Sequence, residues 1–297
     1  GWTLAGNDAG PESHWFVRAN GRGIASGSDY IIALHFTQLD QPLSAHNEKV
    51  SSMSKTMPLW PDLRRLNQLC EGRNILVVSA SFDSTVETLA YHANHVTLLY
   101  RNAAVARAAK DATIVSGFNN ISISINLAED LSYGDNQFDV LFGPHVIHTI
   151  SDLRPWLLEA GRVLKPQGFI ALTSHLVPGT RLRGKKARRE REAGKYINAW
   201  WKLRDRQHDQ FYSQHEWEDL LLGSGYKIVH LHTTPVTFDF ASWVDDRSLS
   251  EKDWLRLKSM LIQAPEKVRE FLTPQFAGDR INFCLPEINI LASSKSN

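Results

Sequence analysis

A chain of 297 residues with 42% hydrophobic content can bury a substantial core, and a formal net charge of +1 gives no general attraction to nucleic acid or an anionic membrane. Two cysteines, Cys70 and Cys284, make neither a disulfide framework nor a metal cluster, which points to a reducing, cytoplasmic setting and no metal. No apolar run nears the roughly 20 residues that span a bilayer, and no signal peptide or repeat is visible. The chain opens on Gly1 rather than Met, so it reads as a piece whose native N-terminus is missing.

Residues 1–60 read as an N-terminal extension: GNDAGPES and ANGRGIASGSD are turn-rich, and YIIALHFTQL fits a strand or a short helix equally. Residues 61–297 read as the main domain. Asp62 to Cys70 is a predicted helix ended by Gly72, and Asn74 to Ser79 a buried strand. Asp83 or Ser84 caps a helix to about Ala93. Then follow a strand over Val96–Tyr100, a helix over Ala103–Ala109, and strands over Ile121–Leu127 and Phe138–Phe142. A helix over Leu153–Leu164 leads to a strand over Gly168–Ser174. Such alternation predicts a doubly wound, mostly parallel α/β sheet, with its ligand crevice at the carboxyl ends of the strands.

Beyond this frame, residues 180–215 read as a lid and residues 235–285 as a helical cover. Between them lie a helix over Trp217–Leu222 and a strand over Tyr226–His232. Helices near Trp254–Leu261 and Pro265–Phe271 and a strand over Ile288–Ala292 complete the chain. Neither a GxSxG nucleophile elbow nor a GxxxxGK phosphate loop occurs.

The segment AEDLSYGDNQFDVLF followed by HVIHTISDLRPWLLEAGRVLKPQGFIAL resembles class I S-adenosylmethionine-dependent methyltransferases, in particular the branch that methylates small molecules. RDRQHDQFYSQHEWEDLLLGSGYKIV is similar to the substrate side of that family, and the likeness covers about Asn74 to Ala292. It implies a Rossmann-like methyltransferase fold and S-adenosylmethionine as cofactor, held around Ser79, Ala80, Ser81, Asp83, Tyr100, Arg101, Leu127, Ala128 and Glu129.

Three positions depart from the family pattern. The first loop, NILVVSASFDSTVETLA, has no glycine, with Ser79, Ser81 and Asp83 where the family has three. The second strand ends in Tyr100–Arg101 rather than the carboxylate that receives the ribose hydroxyls. Leu127 stands where an Asp holds the adenine amino group. A register one or two residues away would instead give Asp83 or Glu87 the acidic role. The departures predict weak binding of the cofactor or none.

His145 and His148 follow the fourth parallel strand, where the resemblance places catalytic or substrate-orienting groups. Imidazole suits proton removal from a hydroxyl because it titrates near neutrality. The competing reading is helix capping at Asp152 or a backbone hydrogen bond. His175 points to the same pocket with less support, and His230 and His232 merely alternate on a strand. His208 and Tyr212, flanked by Trp200, Trp201 and Phe211, either cage a planar ligand or close a core.

The run from Arg181 to Lys195 holds eight Lys or Arg against two Glu. It reads as a solvated helix, or as a surface for an anionic carrier such as a phosphopantetheine-bearing protein or coenzyme A. Three functions follow in order: a repurposed or non-methylating small-molecule protein on this frame, an active methyltransferase with His148 as base, and a partner-binding scaffold without chemistry.

Overall fold

A computed structural model describes residues 3–5, 16–18, 68–78, 82, 84–126, 131–145, 147–245 and 249–294. Contacts divide the chain into two units, Gly1–Met57 and Pro58–Asn297. In the first, β1 (Thr3–Ala5) pairs antiparallel with β2 (Phe16–Arg18). The stretch YIIALHFTQL and residues 62–67 of the helix expected over Asp62–Cys70 lie outside the described residues, and residues 68–70 are helical.

The second unit is built on a sheet. Its strands are β3 (Asn74–Val78), β4 (His95–Tyr100), β5 (Ile121–Ile125), β6 (Phe138–Pro144), β7 (Leu164–His175), β8 (Tyr226–Asp239), β9 (Gln275–Ala277) and β10 (Arg280–Ser294). They lie in the order β5-β4-β3-β6-β7-β10-β8, with β9 beside the start of β10. The strands from β5 to β7 pair parallel; β10 runs antiparallel to both neighbours. The order reverses between β3 and β6, so the crevice of this sheet opens at their carboxyl ends. This is the doubly wound, mostly parallel architecture expected from the alternation.

Buried strands need apolar side chains on both faces, and β3 shows it. Ile75 and Val77 join one core cluster with Val96, Leu98 and Tyr100, under α1 (Ser84–His92) and α2 (Ala103–Ser116). Leu76 and Val78 join the opposite cluster, closed by α3 (Leu153–Val163) and α5 (Gln214–Gly223) through Trp156, Leu157, Trp217 and Leu221. A third cluster lies among α4 (Lys185–Arg204), α6 (Phe240–Asp245), α7 (Glu251–Ile262) and α8 (Glu266–Leu272), over Ile281, Phe283 and Leu285 of β10.

The helix ends follow local chemistry. Asp152 accepts from Arg154 N at the start of α3, and Ser213 with Glu216 forms a reciprocal capping box at α5. Two expectations need correction. Helix α2 runs to Ser116 rather than Ala109, because its β-branched last turns continue until Gly117 (φ 75) supplies the left-handed stop. The last two long strands extend well beyond the predicted segments, through Pro235 and Pro286. These two prolines face each other in register, so their missing N–H donors coincide and the pairing continues on both sides. Among the described residues no helix is long and apolar enough to cross a membrane.

Arg162 locks the approach to β6. Its guanidinium donates to the carbonyls of Leu131 (2.9 Å) and Tyr133 (2.8 Å) and to the carboxylates of Glu159 and Asp135 (2.8 Å each). Arg162→Ala leaves two carbonyls and two carboxylates without this partner. The group is about one-third exposed, so the expected loss in urea unfolding is about 2 kcal/mol. Arg162→Lys should recover only part of it, because an ammonium cannot span the fork. A loss below about 0.5 kcal/mol for alanine would reject this account.

Candidate active site at the carboxyl ends of β6 and β7

Four histidines converge where β6 and β7 end. His145 directly follows β6 with φ 50, a conformation non-glycine residues seldom adopt, and its N–H donates to Thr173 O at 2.9 Å. His148 sits in a short 3-10 turn, Ile147–Thr149. His175 is the last residue of β7, and His208 lies between α4 and α5. The ring of His145 is 5.5 Å from that of His175, and His148 is 5.4 Å from His208 and 5.2 Å from Phe211.

The strap over the site is held by two devices. The carbonyl of His148 accepts from the N–H groups of Asp209 (2.8 Å) and Gln210 (3.3 Å). Asn198 on α4 accepts from Phe211 N at 2.7 Å and donates to Phe211 O at 3.0 Å, so one side chain pairs with the strap as a strand would. The same Asn198 oxygen lies 2.9 Å from His208 Nε2, which puts that ring's proton on Nε2.

These histidines are not equivalent. Burial drives the pKa of His175 down to about 3, aided by the nearby His145 and opposed by Glu287. Its ring lies among Trp201, Phe211 and Phe238, and its Nδ1 has no hydrogen-bond partner. Burial likewise pushes His208 down to about 3. Both remain neutral at physiological pH. Tyr212 is pushed up to about 12, first by burial and then by the carboxylates of Asp209, Asp152 and Glu216, so its phenol keeps its proton. His208 and Tyr212 therefore close and shape the site. Trp200, Trp201 and Phe211 are buried in the cover core or against it.

A polar band crosses one sheet face between two apolar clusters. Along β10, Ile281, Phe283 and Leu285 meet the cover, whereas Glu287 and Asn289 share their side of the strand. Opposite them on β7 stand His175 and Thr173. Thr173 Oγ1 donates to Asn289 Oδ1 at 3.0 Å, Asn289 Nδ2 to Glu287 Oε1 at 3.2 Å, and Glu287 Oε2 lies 3.2 Å from His145 Nε2. Burial raises the Glu287 pKa, but His145 and the Asn289 amide outweigh it and hold the carboxyl below its ordinary value. Sequence reading missed Glu287, Asn289 and Asn198. The signal for the first two was a pair of polar residues interrupting the apolar alternation of PEINILA.

Of the residues carried over for a cofactor, Ser79, Ala80, Ser81, Asp83, Leu127, Ala128 and Glu129 lie outside the described residues. Tyr100 is buried in the core cluster of β3 and β4, and Arg101 Nη1 donates to Thr149 O at 3.1 Å. In the basic run, Arg181 pairs with Asp219 and Glu218, Arg188 with Glu192, and Arg191 donates to the carbonyls of Thr180 and Leu182. Among the described residues, no group of three or more His, Cys, Asp or Glu side chains could hold a metal ion.

A reversed seven-strand order with an antiparallel last strand, helices on both faces and a crevice at the reversal defines the class I methyltransferase fold. Residues 76–172 match the family described as methyltransferase domain. YcgJ of Bacillus subtilis, which bears the name of a methyltransferase, is 25% identical over 59% of this chain and 66% of its own length. Its crystal structure superposes with a TM-score of 0.69 at 20% identity, over 79% of this chain and 98% of that one. BH2331 of Bacillus halodurans C-125 gives a TM-score of 0.70 at 19% identity, over 79% and 99%. The C-methyltransferase UbiE of Rickettsia akari, of ubiquinone/menaquinone biosynthesis, is 35% identical over 38% of this chain and 49% of its own. The sequence matches thus span less than two thirds of the curated relatives' length.

Proposed function

We propose that this chain acts on a small molecule through the site at the ends of β6 and β7, on a methyltransferase frame that no longer binds S-adenosylmethionine tightly. The observation that carries the reading is the imidazole and carboxylate cluster beside the strand-order reversal. An imidazole held among polar side chains at the carboxyl ends of β6 and β7 suits proton removal from a hydroxyl, amine or carbon acid. Trp201 and Phe211 supply the apolar wall beside His175, and residues 209–210 are tied to the His148 carbonyl.

Two features support weak cofactor binding. After Val78 the sequence carries Ser79, Ser81 and Asp83 where the family resemblance places glycines. At the end of β4, Arg101 offers only donors and spends one on Thr149, whereas ribose hydroxyls at this position call for an acceptor. This supports a weak hold on the ribose of that cofactor. Loss of two charge-assisted hydrogen bonds, at roughly 1–3 kcal/mol each, lowers affinity by about two to four orders of magnitude. Calorimetric titration with S-adenosylmethionine or S-adenosylhomocysteine should show no saturable binding at low micromolar concentration. Binding there would instate the second reading.

That second reading, an active methyltransferase of a small molecule, is favoured by the family match over 76–172 and the 35% identity to UbiE. It keeps His148 as base, with the backbone of residues 79–83 and Ala128 around the cofactor. Should S-adenosylmethionine fail to bind, loss of substrate conversion in His148→Ala or His145→Ala separates an enzyme from a scaffold.

A further inference from the structure

We infer that Glu287 is a positioning residue that makes His145, rather than His148, the proton acceptor of this site. The inference rests on the small-molecule reading above and names the group that performs its proton transfer.

Three independent observations converge on the pair. First, the side chain of Glu287 is only 14% exposed while that of His145 is 49% exposed, so the carboxylate is sheltered and the imidazole is open to a ligand at the carboxyl end of β6. Second, the carboxylate is held from behind: its Oε1 accepts from Asn289, whose own oxygen accepts from Thr173, both buried in the sheet. A carboxylate fixed on a central strand leaves Oε2 aimed at His145 Nε2, 3.2 Å away. Third, His145 adopts φ 50 as β6 ends, with its N–H tied to Thr173 O. Histidine pays for a left-handed backbone only where surrounding contacts impose it, and such residues gather at functional sites.

The chemistry follows from which nitrogen carries the proton. An ionised carboxylate only accepts, so the neutral imidazole keeps its hydrogen on Nε2, facing Glu287. Nδ1 then holds the lone pair. Among the described residues it has no hydrogen-bond partner, and the ring is half exposed. A substrate O–H, N–H or C–H delivers its proton to Nδ1; the electron pair stays on the substrate, and the imidazolium formed is stabilised by Glu287. The other rings do not compete equally. His175 and His208 stay neutral because they are buried, and His208 has its Nε2 committed to Asn198. The backbone of His148 anchors the strap.

The test needs neither substrate nor cofactor, so its failure is distinguishable from failure of the small-molecule reading. Two-dimensional 15N–1H spectra of the histidine side chains, recorded on the full chain at mildly alkaline pH, report its tautomer. The expected result is the Nε2–H form in the wild type, retained in Glu287→Gln, whose amide oxygen still accepts. In Glu287→Ala the ring should become a mixture of tautomers, with the His208 signals unchanged. An Nδ1–H form in the wild type, which does not depend on any variant folding, overturns the inference. So does an unchanged Nε2–H signal in a folded Glu287→Ala chain. Where substrate conversion is measurable, Glu287→Gln should lower kcat with little change in KM, and His148→Ala should convert substrate faster than His145→Ala. Equal or greater loss in His148→Ala than in His145→Ala would return the role to His148.

Discussion

Replacing Trp200 by alanine is expected to cost about 4 kcal/mol of folding stability and to unseat the helical cover. The magnitude comes from truncating a fully buried indole, for which losses of about 3–5 kcal/mol are usual. Trp200 stacks on Trp243 at 4.6 Å, meets Phe283 edge-on at 5.1 Å, and donates its indole N–H to Leu257 O at 3.1 Å. These contacts join α4, α6, α7 and β10 in one cluster. The same helix has no room elsewhere to adjust: a Cβ on Gly194 would lie 2.4 Å from Pro178 O, so α4 already rests against backbone. Because α4 also carries Asn198 and Trp201, its displacement removes the clamp on Phe211 and the wall beside His175. Trp200→Phe keeps most of the stacking and loses the hydrogen bond, with an expected cost of about 1–2 kcal/mol. Urea unfolding of both variants gives the comparison, and a loss under about 1.5 kcal/mol for alanine would mean the cover repacks freely.

Stability should also fall steeply on mild acidification. His175 and His208 are buried and their pKa values lie at about 3, against about 6.5 in an unfolded chain. Below about 6.5 the unfolded state binds protons that the folded state refuses. The stabilising contribution is therefore complete above that pH and is lost progressively as pH falls toward 3. At pH 5 each ring accounts for about 2 kcal/mol, and the two together for about 4 kcal/mol. Most carboxylates are still ionised there and contribute little. His175→Phe, placed among Trp201, Phe211 and Phe238, should remove about half of this acid sensitivity. The check is unfolding free energy at pH 7.5 and pH 5 for both chains. Equal values at the two pH values in the wild type would show that both rings accept protons without unfolding.

Much of the frame was legible in the chain itself. Four consecutive apolar residues in β3 and the Ser213–Glu216 pair three apart are local signals with local causes, and each marks a real element or boundary. The histidines after β6 were equally legible, because a residue that follows a parallel strand must stand at the crevice. Helix and strand lengths were less so. The end of α2 and the extensions of β8 and β10 contain Thr, Val, Ile or Pro, whose intrinsic preferences yield to cap geometry and pairing register.

What the sequence by itself determined is the alternation of strands and helices, the mostly parallel character of the sheet, and the side on which each strand residue stands. What only the tertiary structure decided is which side chains meet. Thr173 and Asn289 are 116 positions apart in the chain, yet they share a hydrogen bond, and Glu287 of β10 reaches His145 past the intervening β7. Period-two alternation assigns a residue to a face but carries no information about which strand lies beside it or in what register. Burial has the same origin. The neutrality of His175 and His208 comes from the rings packed around them, drawn from α4, the strap and β8, and no local pattern encodes that enclosure.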